Sequence, residues 1–169
     1  MKQSHTYTLY SSALMSALLL FGSAAAMAGD AKTYPGSMCV RYSGSTPSYN
    51  TSAIGNPSSS QWLYVDCPVI NDEMSKDLAN SWVGVLDRHY SYDANCSINS
   101  AYWNNSASAF YGWWGENKYT AGSGNNLQKL TWGALGGAGE SVHTYFSCKI
   151  PPSYSGNVSY IVSYHANED

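Results

Sequence analysis

Charge is scarce in this sequence. Eight Lys or Arg and eleven Asp or Glu among 169 residues leave 11% charged positions and a net charge of −3. No cluster of Lys or Arg exists, which argues against nucleic acid and anionic membrane surfaces as partners. Phenylalanine is rare as well, three residues against fifteen Tyr and six Trp. Beyond residue 28 no apolar run approaches the roughly 20 residues that a membrane-spanning helix needs, so the mature chain is not expected to insert into a membrane. The cysteines form no Cys-x-x-Cys pair, which removes the usual structural zinc sites. There is no Gly-x-Ser-x-Gly elbow and no His-Glu-x-x-His helix, and Gly133–Gly139 lacks the Gly-Lys-Ser/Thr of a phosphate loop. A carboxylate pair for glycoside cleavage would have to come from Asp87, Asp93, Glu116 or Glu140, and nothing fixes the spacing of roughly 5–10 Å that it requires. The expectation is a non-catalytic protein without a cofactor.

What is present begins with export. Met1–Ser12 is polar and carries Lys2, Ala13–Ala26 is apolar, and Ala26-Met27-Ala28 supplies small residues before Gly29. That is the layout of a secretory signal peptide. Residues 1–28 are therefore set apart, and 29–169 are expected to form one secreted or periplasmic domain. Removing 1–28 takes away Lys2 and no acid, so the net charge becomes −4. An exported chain with four cysteines, Cys39, Cys67, Cys96 and Cys148, is expected to hold two disulfides. Three pairings exist. Cys39–Cys67 with Cys96–Cys148 is favoured because sequential strands are often neighbours.

Tyr and Trp favour strands, while Ser, Asn and Gly mark turns. The clearest strand is Gln61–Ile70, read as a central one. Leu63, Val65 and Cys67 share one face, and Trp62, Tyr64 and Asp66 the other. Pro68 should end its pairing or lie on an edge. Further strands are read around Met38–Tyr42, over Ser81–Tyr90, Cys96–Trp103, Ala109–Trp114, Leu127–Trp132, Ser141–Ile150 and Asn157–His165. Gly44–Ser60 is read as loop and Asn71–Asp77 as a polar connection. About eight short antiparallel strands imply an all-β sandwich, jelly-roll-like first and an immunoglobulin-like Greek key second. The inward residues are expected to be Leu63, Val65, Val83, Val85, Val142, Phe146, Val158 and Val162.

The segments around the cysteines read Tyr-Pro-Gly-Ser-Met-Cys-Val-Arg at 34–41, Asp-Cys-Pro-Val at 66–69, Asn-Cys-Ser-Ile at 95–98 and Ser-Cys-Lys-Ile-Pro-Pro at 147–152. In these neighbourhoods alone the chain resembles a loose group of uncharacterised small secreted bacterial proteins. The resemblance bears on the fold and the two bridges. It brings no catalytic or binding residue with it.

The functional signal is aromatic. Tyr102-Trp103 and Phe110-Tyr111-Gly112-Trp113-Trp114-Gly115 crowd rings onto one hairpin around Asn104–Ser108. Alternation sends Phe110 and Trp114 to one face and Tyr111 and Trp113 to the other. One inward face cannot hide them all, so at least one of Trp103, Trp113 and Trp114 is expected in solvent. The candidate ligand residues are Trp103, Tyr111, Trp113, Trp114 and Glu116, and a carbohydrate or cell-envelope glycan is the expected partner. The competing view makes the rings core and edge cover, with Gly44–Ser60 folded over them. A structural protein that self-associates through a strand edge is the alternative function, and a small secreted hydrolase the third. Two groups of residues offer metal ligands. Asp72, Glu73 and Asp77, with Asp66 nearby, offer oxygens to calcium but more simply form a solvated run. Asp87, His89 and His143 would need two strands brought together. Neither is adopted.

Overall fold

Alternation of polar and apolar side chains organises the described residues 30–70, 78–134 and 142–168 of this computed structural model, in which Asp30, Phe110 and Val142 are described by backbone alone. The strands are β1 (Asp30–Pro35), β2 (Val40–Gly44), β3 (Ser48–Asn50), β4 (Ala53–Gly55), β5 (Leu63–Val69) and β6 (Leu78–Leu86). They continue with β7 (Asn95–Asn104), β8 (Ala109–Trp114), β9 (Lys118–Tyr119), β10 (Gln128–Trp132), β11 (Val142–Ile150) and β12 (Tyr160–Glu168). A 3₁₀ turn, Gly36–Met38, follows β1. Among the described residues no helix is long and apolar enough to cross a membrane.

Two antiparallel sheets result. Sheet I runs β10-β6-β12-β4-β3, with β1 also paired to β12, and sheet II runs β2-β5-β11-β7-β8, with β9 against β7. Eight of these strands carry the topology. In sheet I they lie β1-β12-β6-β10 and in sheet II β5-β11-β7-β8. Numbered along the chain, the first neighbours the eighth, the second the seventh, the third the sixth and the fourth the fifth. That nesting is a jelly roll.

The layer between the sheets is filled by one face of each strand. Leu63, Val65, Cys67 and Val69 of β5, Ile98 of β7, and Phe146, Cys148 and Ile150 of β11 are buried, facing Val83, Val85, Leu130, Trp132, Ile161 and Tyr164 of sheet I. Rings cross the layer. Trp132 and Tyr164 lie 5.4 and 5.9 Å from Phe146, and the Tyr164 hydroxyl donates to the Pro68 carbonyl at 2.8 Å. Full burial of one such side chain is worth roughly 1.5–3 kcal/mol. Burial and the neighbouring Tyr34 hold the Tyr164 phenol above its ordinary value.

Both disulfides form as paired in the sequence reading, Cys39–Cys67 and Cys96–Cys148. Cys96 and Cys148 are directly opposite in register, and Cys39 precedes Val40, which pairs with Asp66 next to Cys67. Each bridge therefore ties neighbouring strands of sheet II and none reaches sheet I. Their sequence separations are 28 and 52 residues. Loops of that length correspond to about 3.6 and 4.1 kcal/mol by the chain-entropy argument.

The structure corrects four expectations. β5 is not central: β11 is the middle strand of sheet II, and β5 lies one place from the edge. Pro68 lies on a local edge, one of the two places expected for it: it pairs with Tyr145 on one side, and on the other the β2 ladder reaches only to Asp66, so no neighbour faces its missing N–H. Gly44–Ser60 is not all loop. It contains β3 and β4, with Ile54 fully buried and paired to Ile161. Asp30–Pro35, outside the strands expected from the sequence, is a strand along β12.

The fourth correction concerns β12. Val158 and Val162 are half-buried rather than core, while Ile161 and Tyr164 point inward. The register steps from Ile161 opposite Val85 to Ser163 opposite Gly84, so β12 spends one extra residue there. Such a bulge inverts the inside–outside parity, which strict alternation could not foresee. The Val142 side chain, and the segment carrying Asp72, Glu73 and Asp77, lie outside the described residues.

Candidate binding site on the aromatic hairpin

The hairpin of β7 and β8 pairs in unbroken register, Asn99 opposite Trp114, Ser100 opposite Trp113, Tyr102 opposite Tyr111 and Trp103 opposite Phe110. At its tip the Asn104 side-chain oxygen accepts the Ala107 N–H, and Ser108 takes a left-handed φ of 48°. Since Cys96 and Ile98 face the core, alternation places Ser100, Tyr102, Tyr111 and Trp113 on the continuation of the inner face. Asn99, Ala101, Trp103 and Trp114 lie on the outer face.

All three tryptophans are exposed, Trp103 at 44%, Trp113 at 51% and Trp114 at 70%, and so is Tyr111 at 46%. Gly44–Ser60, the segment that would have hidden them, instead builds β3 and β4 on the other sheet. Each exposed ring has a local seat. A Cβ on Gly112 would stand 3.1 Å from the Trp114 indole, so the ring lies back over that glycine. One on Gly115 would stand 3.0 Å from the Trp113 ring. Tyr102 and Tyr111 stack on each other, centroids 5.8 Å apart. These rings are held as platforms rather than left to swing.

The five residues expected to bind ligand are thus split. Trp103 and Trp114 share the outer face, Tyr111 and Trp113 the inner one. Glu116 joins neither, because its carboxylate pairs with Lys118 at 2.6 Å and its carbonyl accepts the Trp132 indole N–H at 2.8 Å.

Sequence reasoning missed what continues the outer face across sheet II. The Tyr145–Asn99–Trp114 row and the Asp66–Ser147–Ser97 row run side by side over β5, β11, β7 and β8. Tyr42, at a register shift in β2, reaches over them to 6.0 Å from Tyr64 and brings its hydroxyl to 3.5 Å from that of Ser147. Lys149 lies over the Trp62 ring at 4.0 Å. Within this frame Asn99 is fully buried, and its Oδ1 and the Asp66 Oδ1 have no hydrogen-bond partner. Burial holds the Asp66 carboxyl above its usual value, with the Ser147 hydroxyl offsetting part of the effect. The Tyr145 phenol is raised by burial first and then by Asp66 and Tyr42. The outward parity of Tyr64 and Asp66 was legible, but nothing in the residue pattern announced the burial of Asn99.

The other candidate chemistries fare differently. Asp87 is fully buried and accepts from the His89 and Ala94 N–H groups, from the Ser159 hydroxyl at 3.0 Å and from the Thr120 hydroxyl. His89 accepts the Ser91 and Tyr92 N–H groups on Nδ1 and stacks on Tyr92. Both are engaged in holding the turn between β6 and β7. Exposed His143 sits on β11 opposite Ala101. Among the described residues no group of three His, Cys, Asp or Glu is placed to hold a metal ion. Asp93 accepts the Gly122 N–H, and Glu140 lies outside the described residues.

No family model matches this chain, and no curated protein matches it. Among solved structures it is similar to the GH26-CBM35 beta-(1,4)-mannanase of Podospora anserina, at 9% identity over 84% of this chain and with a TM-score of 0.49. It spans 28% of that mannanase's chain. It is also similar to a low-affinity xylan-binding module, CBM86, from Roseburia intestinalis, at 11% identity over 82% of this chain and 96% of that one, with a TM-score of 0.43.

Proposed function

We propose that this protein is an exported, non-catalytic module that binds glycan through the rings of its β7–β8 hairpin. The observation that carries the reading is the exposure of Trp103, Tyr111, Trp113 and Trp114 on ordered strand positions. Leaving one large ring in water forgoes roughly 1.5–3 kcal/mol of burial, and the two rings on each face of the hairpin leave apolar surface of the kind that marks a binding site. Flat indoles stack against the apolar faces of sugar rings, and low net charge leaves neutral ligands unopposed. Two disulfides suit an oxidising extracellular or periplasmic compartment.

The test is a glycan array probed with residues 29–169. Retention on at least one glycan is expected, lost in a Trp103→Ala/Trp114→Ala/Trp113→Ala triple variant that keeps the wild-type melting temperature. No retention on any glycan would overturn the reading. A second reading, self-association, draws on β8 being the last strand of sheet II beside its exposed rings. Light scattering that shows a concentration-dependent dimer, abolished by the same variant, would favour it instead.

A further inference from the structure

Resting on that glycan-binding reading, we infer that the ligand is a neutral, hydroxyl-donating saccharide that lies across the outer face of sheet II, from Trp114 over Asn99 and Tyr145 to Asp66 and Tyr42, and not on the inner face that carries Tyr111 and Trp113. Three observations converge on this face. It holds Trp114, the most exposed indole among the described residues, whose ring approaches Gly112. Opposite that ring in register stands Asn99, whose Oδ1 has no hydrogen-bond partner, and at the other end of the adjoining Asp66–Ser147–Ser97 row the Asp66 Oδ1 has none either. Buried polar atoms are nearly always paired, so an unpaired one asks for a reason. An aromatic pair, Tyr42 and Tyr64, closes the far end.

The chemistry of the orphaned atoms selects the ligand. An amide oxygen and an ionised carboxylate accept hydrogen bonds and cannot donate them. Their partner must therefore bring donors, and the hydroxyls around a sugar ring do so at the edge of a face that stacks on Trp114. A uronic or sulfated sugar would set its own negative charge against Asp66. The cation of this face does not relieve that conflict, since Lys149 is held over the Trp62 ring at 4.0 Å. The distance across β5, β11, β7 and β8 is roughly 14 Å at the ordinary strand spacing, which suits a stretch of chain rather than a single terminal sugar. Asn99 stands between Tyr145 and Trp114 in the register. The inner face offers stacked Tyr102 and Tyr111 but, among the described residues, no unpaired buried acceptor near them.

The experiment titrates residues 29–169 with soluble xylan, mannan and polygalacturonate and follows the indole and Asn side-chain NMR signals. Expected are shifts of the Trp114 indole N–H and the Asn99 amide with a neutral glycan, and little movement of Trp113. Trp114→Ala and Asn99→Ala should each weaken neutral-glycan binding by tenfold or more, and more than Trp113→Ala does, while Tyr49→Ala, an exposed ring on β3 of sheet I, stays within twofold. Asn99→Ser, close in polarity, controls for loss of packing and should retain the fold. Binding that survives Trp114→Ala and Asn99→Ala but is lost in Trp113→Ala would overturn the inference while leaving glycan binding intact. Preference for polygalacturonate would overturn the assignment of a neutral ligand. Absence of binding to every glycan in the array would overturn both.

Discussion

Two aspartate–asparagine pairs in this molecule have opposite fates. Asp87 and Asn56 are fully buried and saturated. Asp87 takes four donors, and Asn56 gives its amide to the Gln61, Ile150 and Pro151 carbonyls while its oxygen accepts Ser45 and Ser58. Asp66 and Asn99 have the same side chains, yet each leaves an oxygen unmatched. The difference follows from what surrounds them. Asp87 and Asn56 sit where the chain turns, among N–H and C=O groups that strands have released and that need partners. Asp66 and Asn99 stand mid-strand, where the ladder has already used the backbone, so their oxygens face only side chains. The first pair shapes loops, and the second is left with unmatched oxygens on the outer face of sheet II.

Four substitutions would break or sharpen that contrast. Asp87→Ala should have the largest effect, about 4 kcal/mol lost in urea unfolding, because it strands four donors at once. Asn56→Ala should follow at about 3 kcal/mol, read the same way. A loss below ~1 kcal/mol in either would place these residues with the second pair. Asn99→Ala should cost at most ~1 kcal/mol, since the atom removed had no partner to strand. A larger loss there would mean that Asn99 is structural.

Asp66→Asn should have the smallest effect and the opposite sign. Burial raises the carboxyl in the folded state above 3.8, so the native protein holds this proton more tightly than the unfolded chain. Below 3.8 the group is protonated in both states and the stabilisation from the bound proton is fully present. As pH rises through the ordinary value and then the raised one, that contribution is lost. The neutral variant should therefore melt at most ~3 °C above wild type at pH 7, with water screening holding the gain down. The gap should close as pH falls below 3.8. A gap that widens in acid would show the carboxylate to be stabilised by its neighbours.

Much of the framework could be read from the chain because alternation is a local signal. Leu63, Val65 and Cys67 against Tyr64 and Asp66, and Phe146 and Cys148 against Tyr145 and Lys149, keep strict period two and face as read. The exposed rings followed from a count of ring area against one inward face. What escaped reading depends on partners distant in sequence. β4 is three residues long, too short to show a period, and is recognisable only beside β12. The bulge at Val162 exists because β6 offers one residue where β12 supplies two. Asn99 looks like any outward polar residue, and only its place between β11 and β8 in the folded sheet buries it.

The placement of the two disulfides has a mechanical consequence. β1 and β12 run antiparallel with Asp30 opposite Glu168, so tension applied at the two ends would unzip this pair first. From Cys39 the load passes directly to Cys67, and from Cys96 directly to Cys148. Tyr42, Tyr64 and Asp66 lie inside the first covalent bypass, and Asn99, Trp103, Trp114 and Tyr145 inside the second. A pull along the chain can extend β1, β6 and β12 of sheet I, yet it cannot draw out the segments inside the two bridges, which carry the outer face of sheet II. A module of this design, tethered at one end and holding a polymer in shear, would yield at its termini before it lost its grip.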